Sequence, residues 1–553
     1  MKKGEAEVVV EQLNKVDNQI EHIEKQYPFI VTTVITVISI ISTILISEPG
    51  GLKEDDMFIT ILIVMLPILS VLVMCYVLQM FRQVALLRGY AAYLEEYINN
   101  RYSDSIMIWN SKYIDGFIEN NSPNILIMLS ALITAGIVVW CYITFLLKKA
   151  SMTPKCKWLL ASVFILFLIV IIYQFSRNDK YRKLSYWKAK SENEDIVRVF
   201  LFSECKKLIC ESGVGKAITL QKKALEKNNI YYTTKKNEFF NVIHINTFGI
   251  KSMRLAQKCK KRNIKVIITA HTVVEDFKDS FKFTYNKRVQ ELFRKWIKSF
   301  YSNADMLIAP TSYVKQLLQS DSYNISVPIT VISNGVDIDL FSKSQQDNIE
   351  CRQEIINYIN NKNKGKQKIY IKDKLIISVG LYLERKGILN FIKLAQALPD
   401  YKFIWFGHTS GVLIPHKIRN IIKKGKKLSN VYFPGYVEHS LLSKAYKAGD
   451  LFLMLSYEET EGLVVLEALA SKIQVIINDI AVYGDWLQDQ VHCYKVHIKK
   501  GTDIIKDTNL LQLISDLLNH TLPETVEAGY IIAEKRDLVK IGERLLEVYK
   551  TSH

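Results

Sequence analysis

The sequence predicts two successive doubly wound α/β (Rossmann-like) domains behind an α-helical membrane domain of four transmembrane helices. Three observations carry this prediction. Four uncharged apolar stretches of 18 to 25 residues stand in the first third of the chain, at 29–47, 57–81, 123–147 and 158–175. From about residue 198, short apolar runs alternate with helical patterns. A Lys- and Asn-rich stretch of weak periodicity, 346–374, separates one such alternating series from a second.

Each apolar stretch is long enough for the hydrocarbon core of a bilayer at about 1.5 Å per residue. The first is too long for a signal peptide, and no small-residue cleavage site follows it. Four crossings put both termini on one side. Arg177, Lys180, Arg182, Lys183, Lys188 and Lys190 follow the last stretch and place that side in the cytoplasm. The mostly acidic first loop, SEPGGLKEDD, suits the outside, whereas Lys148, Lys149, Lys155 and Lys157 of the third loop point the other way. Residues 1–190 are therefore expected to be the membrane domain, with 82–121 a cytoplasmic helical loop without a catalytic constellation.

In the soluble part, 199–202 reads as a strand, followed by a loop at SGVGKA and a helix through Leu225. Residues 241–245, 265–269, 306–309 and 330–332 read as further strands of an N-terminal domain, 198–345. Residues 346–374 read as a linker. The strands 375–379, 402–406, 430–433, 451–455 and 474–477 build a C-terminal domain, 375–523, and one closing helix occupies 524–553. Ligands of such sheets sit at the carboxyl ends of the strands.

The net charge is +18 and the pI about 9.2. Nucleic acid, an anionic membrane and phosphorylated substrates all suit that charge. Much of it is juxtamembrane Lys and Arg, so no nucleic-acid partner is expected. The eight cysteines include no C-x-x-C pair, which implies a reduced, cytosol-facing protein with neither disulfide frame nor zinc site.

The most informative segment is 456–470, SYEETEGLVVLEALA. A loop ends at Gly462 and a helix begins at Leu463, so free N–H groups there can face a phosphate. Glu467 lies about one turn inside, within reach of ribose hydroxyls. Glu459 alone reads equally as a solvated member of the acidic run Glu458, Glu459, Glu461. Gly213 and Gly215 let backbone approach a ligand at a strand-to-helix turn. They do not form a triphosphate P-loop, because Cys210 stands where the first glycine belongs and Ala217 replaces Ser/Thr after Lys216. His271 ends the strand 265–269. Glu275 and Asp276 either bind acceptor hydroxyls or cap the following helix. Arg385 and Lys386 precede Gly387 at a helix start, where fixed cations offset a diphosphate's charge. No D-x-D pair is evident near a strand end, and no essential metal is expected. The basic, aromatic stretch 282–302 suits an anionic lipid surface or an ordinary packed helix with a basic outer face.

The segments SGVGKAI, VIHINTFG, TAHTVVEDF, APTSYVKQLL, VISNGVDIDLF, ISVGLYLERKGILNFI, NVYFPGYV, SYEETEGLVVLEALA and DIAVYGDWL resemble retaining GT-B glycosyltransferases that use nucleotide sugars. The resemblance covers roughly 199–550 and none of the first 190 residues. HTVVEDF and EETEG resemble the glycolipid branch, the bacterial α-monoglucosyldiacylglycerol synthases. This implies a GT-B fold, with catalytic roles for His271, Arg385, Lys386 and Glu459. It implies that Gly213, Gly215, Gly462, Leu463, Val464 and Glu467 bind the donor. His271 would touch the donor sugar, and the departing phosphate would act as base, without a side-chain nucleophile. No cofactor is implied beyond the nucleotide-sugar donor, UDP-glucose. The implied activity is a membrane-anchored, metal-independent hexosyl transfer to a lipid acceptor such as diacylglycerol. Because the donor is cytosolic, a multi-pass cell-membrane protein with a cytoplasmic catalytic domain is expected. Two alternatives stay open: transfer to a polyprenyl-linked or capsular glycan, and a non-catalytic membrane scaffold that binds nucleotide sugar. Leu381 stands where the family commonly has Arg, and Lys472 and Gln474 stand where glycine and proline are usual.

Overall fold

The computed structural model describes residues 3–47, 57–102, 178–194, 196–204, 212–236, 238–277, 286–342, 347–363, 366–409, 416–501 and 503–551. The chain divides into two compact units, 1–196 with 235–239 and 197–234 with 240–553.

The first unit holds helices α1 (Lys3–Ser47), α2 (Met57–Tyr102) and α3 (Asn178–Glu194). Each presents an apolar stripe at helical spacing, and the stripes meet in one core. Leu13, Val16 and Ile20 come from α1, Val84, Ala91 and Ile98 from α2, and Tyr186 and Ala189 from α3. A Cβ at Gly89 of α2 would fall on the Arg182 carbonyl of α3, so this glycine sets how closely the two helices pass. Arg182 and Lys190, two of the basic residues that follow the last apolar stretch, are buried in α3, and Lys190 Nζ meets Glu96 Oε1 at 2.6 Å.

The stretches 29–47 and 57–81 fall within α1 and α2. The stretches 123–147 and 158–175, and loop residues 103–121, lie outside the described residues. Among the described residues no helix is long and apolar enough to cross a membrane. The four-span expectation is therefore not met there. The part of α1 that precedes 29–47 alternates buried apolar residues with exposed pairs such as Glu11–Lys15 and Glu21–Lys25, the pattern of an amphipathic packing helix. The expected loop also begins differently, since 82–102 continues α2 without a break.

The second unit holds two sheets. Strands β1 (Arg198–Phe202), β2 (Tyr231–Thr233), β3 (Val242–Ile245), β4 (Lys265–Thr269), β5 (Met306–Ala309) and β6 (Ile329–Val331) are parallel, in the order β2-β1-β3-β4-β5-β6. Helices α4 (Gly213–Lys227), α5 (Ile250–Lys260), α6 (Val274–Phe277), α7 (Lys287–Tyr301), α8 (Ser312–Gln319) and α9 (Ile338–Phe341) belong to this sheet's crossovers and exit. Strands β7 (Leu375–Val379), β8 (Lys402–Phe406), β9 (Val431–Gly435), β10 (Leu451–Met454), β11 (Gln474–Asn478) and β12 (Tyr494–Val496) form the other parallel sheet, β12-β11-β10-β7-β8-β9. With it go α10 (Asp347–Lys362), α11 (Ile388–Ala397), α12 (His416–Gly425), α13 (His439–Ala448), α14 (Leu463–Ala470), α15 (Thr508–Leu518) and α16 (Val526–Glu534), and α17 (Leu538–Lys550) returns to the first sheet. Two parallel six-stranded sheets make the GT-B architecture.

Parallel sheets are covered on both faces, and the strands alternate accordingly. Leu375, Ile377, Ile404 and Phe406 enter one core, whereas Ile376, Phe403 and Trp405 enter the other. Strand order reverses between β1 and β3 and again between β7 and β10. The loops leaving such neighbours diverge and open a crevice. Both crevices face one cleft, and the chemistry-bearing residues arrive there.

Two expected boundaries change. The linker 346–374 contains α10, whose Cys351, Ile355, Ile356 and Ile359 are buried in the C-terminal core. Its Lys- and Asn-rich outer face obscures that stripe in the sequence. Arg352 fixes the helix, donating to the Ala448 and Asp373 carbonyls and meeting Asp450 at 3.0 Å. The closing helix is two helices. Ala533 of α16 packs in the C-terminal core, while Leu538, Ile541, Leu545 and Tyr549 of α17 pack on β1 and α4. Asp537 starts α17 by accepting from Val539 N, so the chain turns back onto the N-terminal domain at that point.

Candidate active site

The cleft holds about 700 Å³, and its walls come from the switch points of both sheets. On the N-terminal side α4 begins directly at Gly213, a helix start rather than the expected loop. Ser212 Oγ accepts from Gly215 N at 3.2 Å, which turns Gly215 into the buried interior. Gly213 lines the cleft and Gly215 does not, so only the former keeps a place near a ligand. His271, at the end of β4, lines the cleft with its Nε2 3.0 Å from Asn246 Oδ1. Burial pushes its imidazole down to about 4, so the ring is neutral at physiological pH.

Glu275 and Asp276 separate in role. Glu275 accepts from Arg294 and from Tyr323 O–H, both at 2.9 Å, and does not line the cleft. Its acceptor-binding reading is replaced by an anchoring one, because both carboxylate oxygens are engaged behind α6. Asp276 does line the cleft and meets Arg385 Nη1 at 2.9 Å across it.

On the C-terminal side, Arg385 and Lys386 sit in a 3-10 turn that follows β7. Lys386 Nζ donates to both oxygens of Glu459, at 2.5 and 2.7 Å, and Ser456 Oγ donates to Glu459 Oε1 at 2.7 Å. Burial pushes the Glu459 carboxyl up, but Lys386 and Arg385 outweigh it and hold the group below its ordinary value. The acidic run is thus not a solvated face. Glu459 and Glu461 are buried, and Glu461 accepts from Ser333 Oγ and Asn334 Nδ2, which ties this loop to the N-terminal domain.

Gly462 opens α14 at φ +87°, and a Cβ there would meet Tyr483 Oη at 2.6 Å. With no side-chain cap, the N–H groups of Leu463 and Val464 are left to the cleft that both residues line. Glu467, one turn on, is sheltered rather than open. It pairs with Lys216 of α4, accepts from Tyr446 O–H at 3.1 Å, and lies 3.6 Å from His439 Nε2. A ribose would reach this carboxylate by displacing Lys216, a residue that the sequence offers only as evidence against a P-loop.

The three departures have different consequences. Leu381 places an apolar side chain in the cleft wall, and Arg385 and Lys386 are the cations beside it. Lys472 adopts φ +51°, the left-handed conformation that glycine supplies at a helix end. Its Nζ holds Glu527 at 2.8 Å and lies over the Tyr530 ring. Gln474 Nε2 donates to Thr525 Oγ1 at 3.2 Å. The turn after α14 is therefore kept, with its cost offset by contacts to α16.

Gly387 holds the cationic turn in place. Its φ is +79°, and a Cβ would fall on the Leu455 carbonyl. Gly387→Ala is expected to lower stability by about 2–5 kcal/mol, from left-handed strain plus overpacking. Thermal unfolding of the purified variant checks this, and nucleotide binding should fall with it.

Asn246, Thr272, Lys216, Asn334 and His439 line the cleft without having been singled out in the sequence. Only Asn246 carries a legible signal, its place at the carboxyl end of a strand. Among the described residues, no group of three or more His, Cys, Asp or Glu side chains is placed to hold a metal ion. Cys259, Cys351 and Cys493 are buried and form no disulfide among the described residues.

Residues 359–519 match the family model described as glycosyl transferases group 1, and 232–340 match that described as glycosyltransferase family 4. The chain is 36% identical over 354 residues to the processive diacylglycerol alpha-glucosyltransferase of Acholeplasma laidlawii, covering 64% of this chain and 98% of that protein. It is 26% identical over 279 residues to the alpha-monoglucosyldiacylglycerol synthase of the same organism, covering 48% and 65%. Among solved structures it is similar to Anabaena HepE in complex with UDP and glucose, at 16% identity and a TM-score of 0.49, covering 65% of this chain and 100% of that one.

Proposed function

We propose that this chain, which belongs to the group 1 glycosyltransferases, moves glucose from UDP-glucose to diacylglycerol or a glucosylated diacylglycerol with retention. Family membership makes it a glycosyltransferase. The observation that carries the finer reading is the near-complete coverage, 98%, of a diacylglycerol alpha-glucosyltransferase at 36% identity.

The cleft chemistry supports it. Arg385 and Lys386 stand beside the open N-terminus of α14, so a diphosphate placed there meets two cations and free N–H groups. These groups offset the charge that grows on the leaving nucleotide. Burial lowers the Lys386 ammonium below its ordinary value, and Glu459 opposes that shift and aims the group. His271 meets the donor sugar, the departing phosphate takes the acceptor's proton, and Asp276 lies where an acceptor hydroxyl enters. We place the catalytic unit at the cytoplasmic face of a cell membrane, on the strength of the four apolar stretches and the lipid acceptor. Helix α7 fits such a surface, since Leu292 is 67% exposed among exposed Lys287, Arg288 and Lys295.

Membranes containing the full chain, given radiolabelled UDP-glucose and diacylglycerol, are expected to yield a labelled glucosyl lipid. An absence of labelled lipid, under conditions where the Acholeplasma enzyme labels it, overturns the acceptor assignment.

A further inference from the structure

Behind His271 runs a chain of buried polar side chains drawn from four separate elements. Asn246 Nδ2 donates to Gln221 Oε1 at 2.8 Å. Gln221 Nε2 lies 2.6 Å from His244 Nδ1, and His244 Nε2 lies 2.6 Å from Thr269 Oγ1. Tyr549 Oη, on α17, lies 2.7 Å from the same His244 Nδ1. All these side chains are buried, His244 completely.

The directions of these bonds follow from one proton. The Tyr549 hydroxyl is buried, with His244 Nδ1 at 2.7 Å and the Gln221 amide end at 3.5 Å, so its proton goes to the much nearer His244 Nδ1. A phenolic proton left without an acceptor there is costly, so His244 Nδ1 is bare and its Nε2 carries the hydrogen, given to Thr269. A bare Nδ1 also requires the Gln221 amide to present its NH₂. The Gln221 oxygen then faces Asn246, which must present its own NH₂ in turn. That leaves Asn246 Oδ1 toward His271. A carbonyl oxygen only accepts, so His271 carries its hydrogen on Nε2. Its Nδ1 has no hydrogen-bond partner among the described residues, and the ring lines the cleft.

We propose that Tyr549, His244, Gln221 and Asn246 are positioning residues that hold His271 as the neutral Nε2–H tautomer and so present Nδ1 to the donor sugar as a hydrogen-bond acceptor. The proposal rests on the reading that His271 meets that sugar. Burial supports it by lowering His271 to about 4 and His244 to about 3, which keeps both rings neutral. Tyr301 O–H donates to the carbonyl of the adjacent Thr272, and Asp276, Arg385, Lys216, Lys386, Glu459 and Glu461 are titratable groups that line the same cleft. The C-terminal helix thereby sets a tautomer in the active site: its last turn supplies the proton that orients the chain.

The test uses the full-length protein labelled with ¹⁵N-histidine, with His271→Ala identifying the signal. At neutral pH the expected His271 ring has a protonated Nε2 and a bare Nδ1. A protonated Nδ1, or an imidazolium, overturns the proposal without requiring any relay variant to fold. The pH profile of Asn246→Asp is the second readout. A carboxylate at that position accepts from Nε2 and raises the His271 pKa by about 1–3 units. Protonated His271 has no free Nδ1, so kcat/KM of the variant should fall about tenfold per unit below a midpoint near pH ~6, where the wild type stays flat. Superimposable profiles overturn the proposal. If instead His271→Ala leaves kcat/KM unchanged, the reading that His271 meets the sugar is what fails, and the proposal falls with it.

Discussion

Lys386→Met is expected to lower kcat for sugar transfer by about 10²–10³-fold, with a smaller change in donor KM. The ammonium does not wait in solvent for the substrate. Glu459 grips it with both oxygens, and the pair sits in the cleft wall between the β7 and β10 loops. A cation fixed in this way interacts most strongly when charge develops on the leaving diphosphate, so its loss appears in kcat. The variant also leaves Glu459 buried with only Arg385, 4.0 Å away, and Ser456 as partners, which costs up to about 3–5 kcal/mol. The two effects separate in the double variant Lys386→Met with Glu459→Gln. Thermal stability should return toward wild type because no unpaired charge remains, while kcat stays low. Steady-state kinetics and thermal unfolding of the three proteins check this. Recovery of activity in the double variant would show that Lys386 serves the fold and not the reaction.

The strands best defined by hydrophobic pattern alone are those buried on both faces. Residues 265–269, 306–309, 375–379 and 402–406 are strands over those limits, because continuous apolar runs bounded by polar loops leave no other element. Two of the four edge strands, Tyr231–Thr233 and Tyr494–Val496, are three residues long and partly exposed, and pattern does not mark them. Helix Asp347–Lys362 is hidden by the composition of its outer face. In the site, motif spacing finds the residues that touch the cleft from the helix start at Gly462 and the cationic turn at Arg385. It does not find their partners. Lys216 and Glu467 are brought together only when the two domains meet, and Tyr549 reaches His244 across 305 residues. Hydrophobic periodicity reports which face of an element is buried. It carries no information about which buried polar groups will meet, since that depends on topology.

Glu467→Ala is expected to weaken UDP-glucose binding about 10–100-fold while the protein still folds. The carboxylate is the natural acceptor for a ribose diol, and hydrogen bonds to a charged group contribute about 1.5–3 kcal/mol. In the present structure Lys216 occupies that acceptor, so the donor must replace one partner of the carboxylate by another. The exchange is tolerable because Lys216 itself lines the cleft and regains water when it leaves. The same argument predicts a small folding cost for Glu467→Ala, since the orphaned ammonium is solvated and Tyr446 loses one hydrogen bond. Calorimetric titration with UDP-glucose and with its 2′-deoxyribose analogue gives the decisive comparison. The wild type should discriminate between them, and Glu467→Ala should bind the two about equally. If donor affinity survives in Glu467→Ala while Lys216→Ala alone shifts thermal stability, the pair is a clasp between domains and the ribose is held elsewhere. Loss of discrimination assigns Glu467 to the nucleotide, and makes Lys216 the residue that the donor must displace to reach it.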